Sequence, residues 1–306
     1  MERRPKKREQ KKLATTFYSK QKILCPICKK EFEKEELMSG GGRLIAGALT
    51  DELRRTYEAS ARYGTIYPLT YTMGACPVCH AAFSWNDFDE KFEDDLIEII
   101  LDNEPERKKS VEAIFPHYDF KRNRTLLDGA AAYYLALLCY EKMPKSWSPT
   151  IKKAQISLRL AWMCSDLDKE CPNRNYDFTS QVFYRKALFF YQESLVLEMA
   201  HEEDIAGIGN FGPDIDKNYG YDGVIYLCGL LEYKYGQKED IPLRLKKLDE
   251  FKRAIARVFG LGKSSKSKPG PLLEHSRNLY DTITAVLKEA NIVDIDDDDD
   301  EPASEE

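Results

Sequence analysis

The chain has 306 residues, 42% apolar, 11% aromatic and 32% charged, which is enough for two domains and favours long, solvent-faced helices over a β-sandwich. The net charge of −6 hides polarised ends: residues 1–12 carry +5, residues 294–306 carry −9, and the rest is near neutral at −2. That balance argues against a broadly basic nucleic-acid binder, and no apolar run is long enough to span a membrane.

Residues 1–20 are basic and polar and are expected to be a disordered tail. No apolar stretch follows the opening MERRPKK, so no signal peptide is expected and the protein is expected in the cytoplasm with reduced cysteines. Residues 21–90 hold two cysteine pairs, a Gly40-Gly41-Gly42 turn and a β-leaning piece at 65–72. Between the pairs, 43–62 reads as an inserted element, with a helix over 50–62 capped by Thr50 or Asp51. Arg54, Tyr67 and Tyr71 are candidates to line a pocket there.

From residue 91 the apolar period becomes helical, with Phe92, Leu96, Ile99 and Ile100 on one face. Pro105 is expected to interrupt this helix, with a short second one at 111–115. Six longer helices are expected near 126–143, 150–167, 178–200, 221–236, 243–260 and 272–290. Pro144, Pro149, Pro172, Pro213, Pro242, Pro269 and Pro271 fall between them. Ser148-Pro149 reads as an N-cap followed by proline at the first helical position. Residues 260–271 read as a mobile loop and 293–306 as a disordered acidic tail.

The fold class is therefore mostly α: a zinc-ribbon-like module at 21–90, then antiparallel helical hairpins over 91–292. Small and aromatic residues such as Ala161, Ala187, Tyr191 and Ser194 partly match the tetratricopeptide pattern, on an irregular period. Tyr133, Tyr134, Trp162, Phe183, Phe189, Phe190 and Tyr226 are expected to pack between helices.

The specific chemical signal is the repeated Cys-Pro-x-Cys: Cys25 and Cys28, then Cys76 and Cys79. Each turn aims two thiolates at one point, and two turns complete a tetrahedron around one structural Zn2+. Phe32 and Phe83 follow the turns and are expected beneath the metal. Lys29, Lys30 and Arg43 are candidates to offset its −2 charge. A redox dithiol would want a βαβ unit, which is not visible. The C-x-x-C-H spelling at Cys76–His80 matches haem attachment, which normally requires export. A catalytic zinc would keep an open position, which four thiolates close. Cys139, Cys164 and Cys228 lie in apolar helices and read as buried hydrophobes, with Cys171 in a loop. A second site from Cys164, Cys171 and His201 is the weaker alternative. No phosphate loop, nucleophile elbow, H-E-x-x-H or dinucleotide fingerprint occurs, so no enzymatic activity is expected.

Residues 18–32 (YSKQKILCPICKKEF), 43–57 (RLIAGALTDELRRTY) and 67–88 (YPLTYTMGACPVCHAAFSWNDF), with LRLAW at 158–162 and YLCGLL at 226–231, resemble the bacterial domain-of-unknown-function family 2225. The resemblance spans about 17–290 and implies a zinc-binding head with a tetratricopeptide-like tail. Where the family usually has glycine after the second pair, this chain has His80, a residue that would strain the turn or touch the metal. The resulting expectation is a zinc-binding adaptor or scaffold whose helical surface takes a protein partner, without membrane contact. The alternatives are a zinc-ribbon nucleic-acid binder, using the basic tail, and a thiol-redox protein.

Overall fold

The computed structural model describes residues 14–260 and 268–290. The basic tail to residue 13, the loop at 261–267 and the acidic tail lie outside the described residues. Strands β1 (Thr16–Tyr18) and β4 (Glu35–Leu37) pair antiparallel around a nested hairpin of β2 (Ile23–Leu24) and β3 (Glu31–Phe32). Residues 16–18 are therefore a strand and not part of a disordered tail. Thr16 Oγ1 donates to Glu35 at 2.6 Å, and the Tyr18 hydroxyl donates to Asn123 at 3.0 Å.

The expected helix at 50–62 is instead a hairpin, β5 (Ile45–Leu49) and β6 (Arg55–Glu58). Thr50 caps no helix. Its hydroxyl accepts from the Arg54 N–H at 3.1 Å and closes a tight turn that Leu53 completes at φ +58. Tertiary contacts override the local helical signal. Buried Glu52 accepts hydrogen bonds from Trp162 Nε1 and from the Tyr184 hydroxyl, and the Arg54 guanidinium pairs with Asp166 and lies over the Trp162 ring. Residues 68–71 likewise form a 3-10 turn, and the strand begins after it, with β7 (Met73–Ala75) pairing β8 (Ala82–Ser84).

Next come α1 (Trp85–Phe88), α2 (Asp94–Asp102) and α3 (Glu104–Ile114). Pro105 sits in the first turn of α3, so it starts a helix longer than the expected 111–115. Helix α4 (Leu126–Tyr140) opens with a capping box, Thr125 and Asp128 bonding each other's backbone. It is apolar all round because it is packed all round, against β7, β8, the 3-10 turn and its neighbouring helices. At Gly129 an added Cβ would stand 2.8 Å from the Thr70 backbone, so only glycine permits that approach.

Helices α5 (Pro149–Glu170) and α6 (Tyr176–Met199) form the longest hairpin. Lys153 over the Phe190 ring at one end and Ser165 beside Ser180 toward the other establish that they run antiparallel. Ser148 makes no cap bond. The Glu203 carboxylate caps α5, accepting from the Thr150 N–H at 2.9 Å and its hydroxyl at 2.8 Å, where the helix dipole favours an anion. Ala161, Ala187, Tyr191 and Ser194 are buried, as are Tyr133, Trp162, Phe183 and Tyr226. Phe189 is not core: it faces solvent, with Phe190 half-buried beside it.

The described residues divide into two compact units, with the boundary between Asn218 and Tyr219 and not near residue 90. The head and α1–α6 share one core, since Phe83 packs on Tyr140 of α4. The second unit holds α7 (Gly220–Tyr235), α8 (Ile241–Phe259) and α9 (Gly270–Glu289). Arg244 closes the end of α7 by donating to the carbonyls of Tyr233 and Gly236, and Phe259 packs edge-on against Tyr280.

Replacing Glu52 by alanine orphans two buried donors, each at about 1–3 kcal/mol. The Glu52→Ala protein is expected to lose about 3 kcal/mol in urea unfolding, and Glu52→Gln distinctly less.

Candidate metal centre

Two short hairpins carry the cysteine turns, and their backbones repeat one another. In the first, the Cys25 N–H donates to the Lys30 carbonyl at 3.0 Å and the Lys29 N–H to the Cys25 carbonyl at 3.0 Å. In the second, Cys76 donates to Ala81 at 2.9 Å and His80 to Cys76 at 3.1 Å. The residue after each pair is left-handed, Lys29 at φ 56 and His80 at φ 55. Both pay for side chains where glycine is the unstrained choice. Phe32 and Phe83 each lie 5.9 Å from Phe88, so the two turns share one aromatic floor.

The four sulfurs converge. Cys25 and Cys79 are 3.7 Å apart, Cys28 and Cys76 are 3.6 Å apart, and all four Sγ atoms lie within 4.8 Å of one another. A tetrahedral zinc with Zn–S of about 2.3 Å spaces its thiolates by about 3.8 Å, so the set could hold one such ion. The crowding perturbs the thiols. Cys25 is pushed up to about 12, chiefly by its hydrogen bond with Cys76, and Cys79 is pushed up chiefly by its bond with Cys25. Cys76 is pulled down, because Cys25 and Cys79 both donate to its sulfur. A divalent ion would displace those shared protons.

His80 is outside the ligand set. Its ring stands edge-on to Tyr118 at 5.8 Å, with Nδ1 4.0 Å from Glu104, and burial pushes its pKa down. Of the cations expected near the centre, Lys29 Nζ donates to the Pro26 carbonyl within the first cysteine turn, and Arg43 stacks on Tyr63. The buried cation behind the second turn is Arg107 of α3, which donates to the Cys79 carbonyl at 3.0 Å and to the Ile100 carbonyl at the end of α2. A lone arginine in a polar helix gave no sequence signal for this. Cys139, Cys164 and Cys228 are buried and Cys171 is exposed. Among the described residues, Cys164, Cys171 and His201 form no ligand cluster.

Arg54 and Tyr67 do line a cleft of about 270 Å³, together with Tyr57, Met163, Asp166 and Asp214, but Tyr71 does not. Its charged side chains are paired, one of them with a residue outside the walls. Arg54 and Lys169 pair with Asp166, Arg55 pairs with Asp216, and Asp214 accepts the Arg55 N–H at 2.8 Å.

Residues 18–283 match the family described as "Uncharacterized protein conserved in bacteria (DUF2225)". An uncharacterised protein of Borreliella burgdorferi is 40% identical over 274 residues, covering 89% of this chain and 98% of that one. No solved structure matches the chain significantly. Among the described residues, no helix is long and apolar enough to cross a membrane.

Arg107→Met removes the buried donor behind the second turn. It is expected to cost about 3 kcal/mol in chemical unfolding and to weaken metal retention about 10-fold or more in a chelator competition. Glycine should separate the two strained turns. Lys29→Gly is expected to gain up to about 1 kcal/mol, whereas His80→Gly loses ring packing and destabilises.

Proposed function

The chain belongs to the bacterial domain-of-unknown-function family 2225, and from that premise we propose that it is a zinc-stapled, non-enzymatic scaffold whose helical hairpins take a protein partner. The observation that carries this reading is the convergence of four cysteine sulfurs, three of them fully buried, from two matched turns. Four thiolates fill a tetrahedral shell and leave no position for substrate. The ion would supply a cross-link between the two turns. The helical body supports the second half of the reading. Ala161 of α5 and Ala187, Tyr191 and Ser194 of α6 partly match the tetratricopeptide pattern, and hairpins of that kind commonly present surfaces to other proteins.

Purified, untagged protein is expected to contain one zinc per chain by elemental analysis. Cys76→Ser combined with Cys79→Ser should abolish it and lower the unfolding midpoint of the first unit. Metal-free protein whose four thiols cycle to disulfides at a defined potential would replace this reading with thiol-redox chemistry. Affinity capture with the full chain is expected to retain its partner after nuclease treatment. Loss of all captured material on that treatment would make nucleic acid the ligand instead.

A further inference from the structure

We propose that the protein self-associates through α6, two copies pairing antiparallel about a two-fold axis near Phe189. The inference names the partner for one face of the helical body, and so rests on that body being an interaction surface. Helix α6 has two apolar faces. Tyr176, Ser180, Phe183, Ala187, Tyr191 and Ser194 are buried on one. On the opposite face Phe178 is 69% exposed, Phe189 59%, Val196 54% and Met199 73%, with Val182 also exposed. Scattered exposed apolar residues are ordinary, but five on one stripe of one helix are not.

The spacing of the stripe is that of a helix pair. Val182, Phe189 and Val196 are seven residues apart, and so are Phe178, Arg185, Gln192 and Met199. These are the two alternating seam positions of a heptad, sustained over about 32 Å of helix. The roughly 20° drift per heptad is what a shallow left-handed crossing absorbs.

The charges choose the occupant and its direction. Lys186 and Glu193 lie three residues before and four after Phe189, on the same flank of the seam. Rotation about a two-fold axis at Phe189 brings Lys186 of each copy to within about 1.5 Å of the height of Glu193 on the other. The same rotation sets Val182 level with Val196 of the second copy. The stripe is therefore complementary to itself when reversed, as a closed two-fold interface requires. A parallel pair would instead set Arg185 against Arg185 across the seam.

The test is the solution mass of the full chain by sedimentation equilibrium, with variants at exposed Lys186 and Phe189 and half-buried Glu193, each checked for retained fold. Wild type is expected to dimerise, and Phe189→Asp to be a folded monomer with unchanged helical content by circular dichroism. Glu193 also lies in the field of Lys145 and Lys153 of its own chain, so the charge swap is the decisive arm. Lys186→Glu and Glu193→Lys should each weaken the dimer about 10-fold or more, and the double variant should restore it. A monomeric wild type overturns the dimer without touching the partner capture that tests the scaffold reading. A dimer that survives Phe189→Asp, or reversals that the double variant does not rescue, overturns it too.

Discussion

The head of this protein depends on four sulfur atoms meeting from two turns separated by 47 residues. Its strands are two to five residues long, too short to hold a sheet by pairing alone. An ion bound there would cross-link about 50 residues and remove roughly 3–4 kcal/mol of loop entropy from the unfolded chain. In the folded chain it would also fix the two hairpins in one orientation. The mirrored hydrogen bonds of the two turns are the local half of that constraint, and the left-handed Lys29 and His80 are its strain.

From the centre, rigidity passes to the helices through a continuous set of buried groups. Phe88 joins Phe32 to Phe83, Phe83 meets Phe92 and Tyr140, and Tyr140 hydrogen-bonds Asp87, which also pairs with Lys152 of α5. Arg107 ties the second turn to the end of α2 from the other side. The described residues up to 218 thus form one body with a small β end, and the change from period two to helical period near residue 90 marks no joint in it.

What the sequence made legible follows from how local each signal is. The repeated Cys-Pro-x-Cys named the four converging residues, because two residues between thiols dictate the turn. Prolines and apolar periodicity located α4 to α9 to within a few residues, since helices are bounded by local chemistry. The hairpin at 45–58 was not legible. Thr50 and Asp51 resemble a helix start, and only Trp162 and Tyr184, more than a hundred residues away, decide otherwise through Glu52. Arg107 and Glu203 were hidden for the same reason, each serving a backbone group distant in sequence. Phe189 misled in the opposite direction, since an aromatic at helical spacing reads as core whichever face it occupies.

That ambiguity bears on the outer face of α6. A helix needs one apolar stripe to dock on its hairpin partner, and α5 already covers that stripe here. A second stripe adds nothing to the folding of the hairpin and exposes the chain to association. Its composition sets the strength of that association. Arg185 and Gln192 occupy alternate seam positions, and their desolvation opposes what Phe178, Val182, Phe189, Val196 and Met199 contribute. A seam built this way is too polar for an obligate dimer core and better suited to a reversible one, in which charge at the flank selects the partner and its direction. On the proposed reading, the metal centre makes the body rigid and the reversible chemistry lies on the outer face of α6.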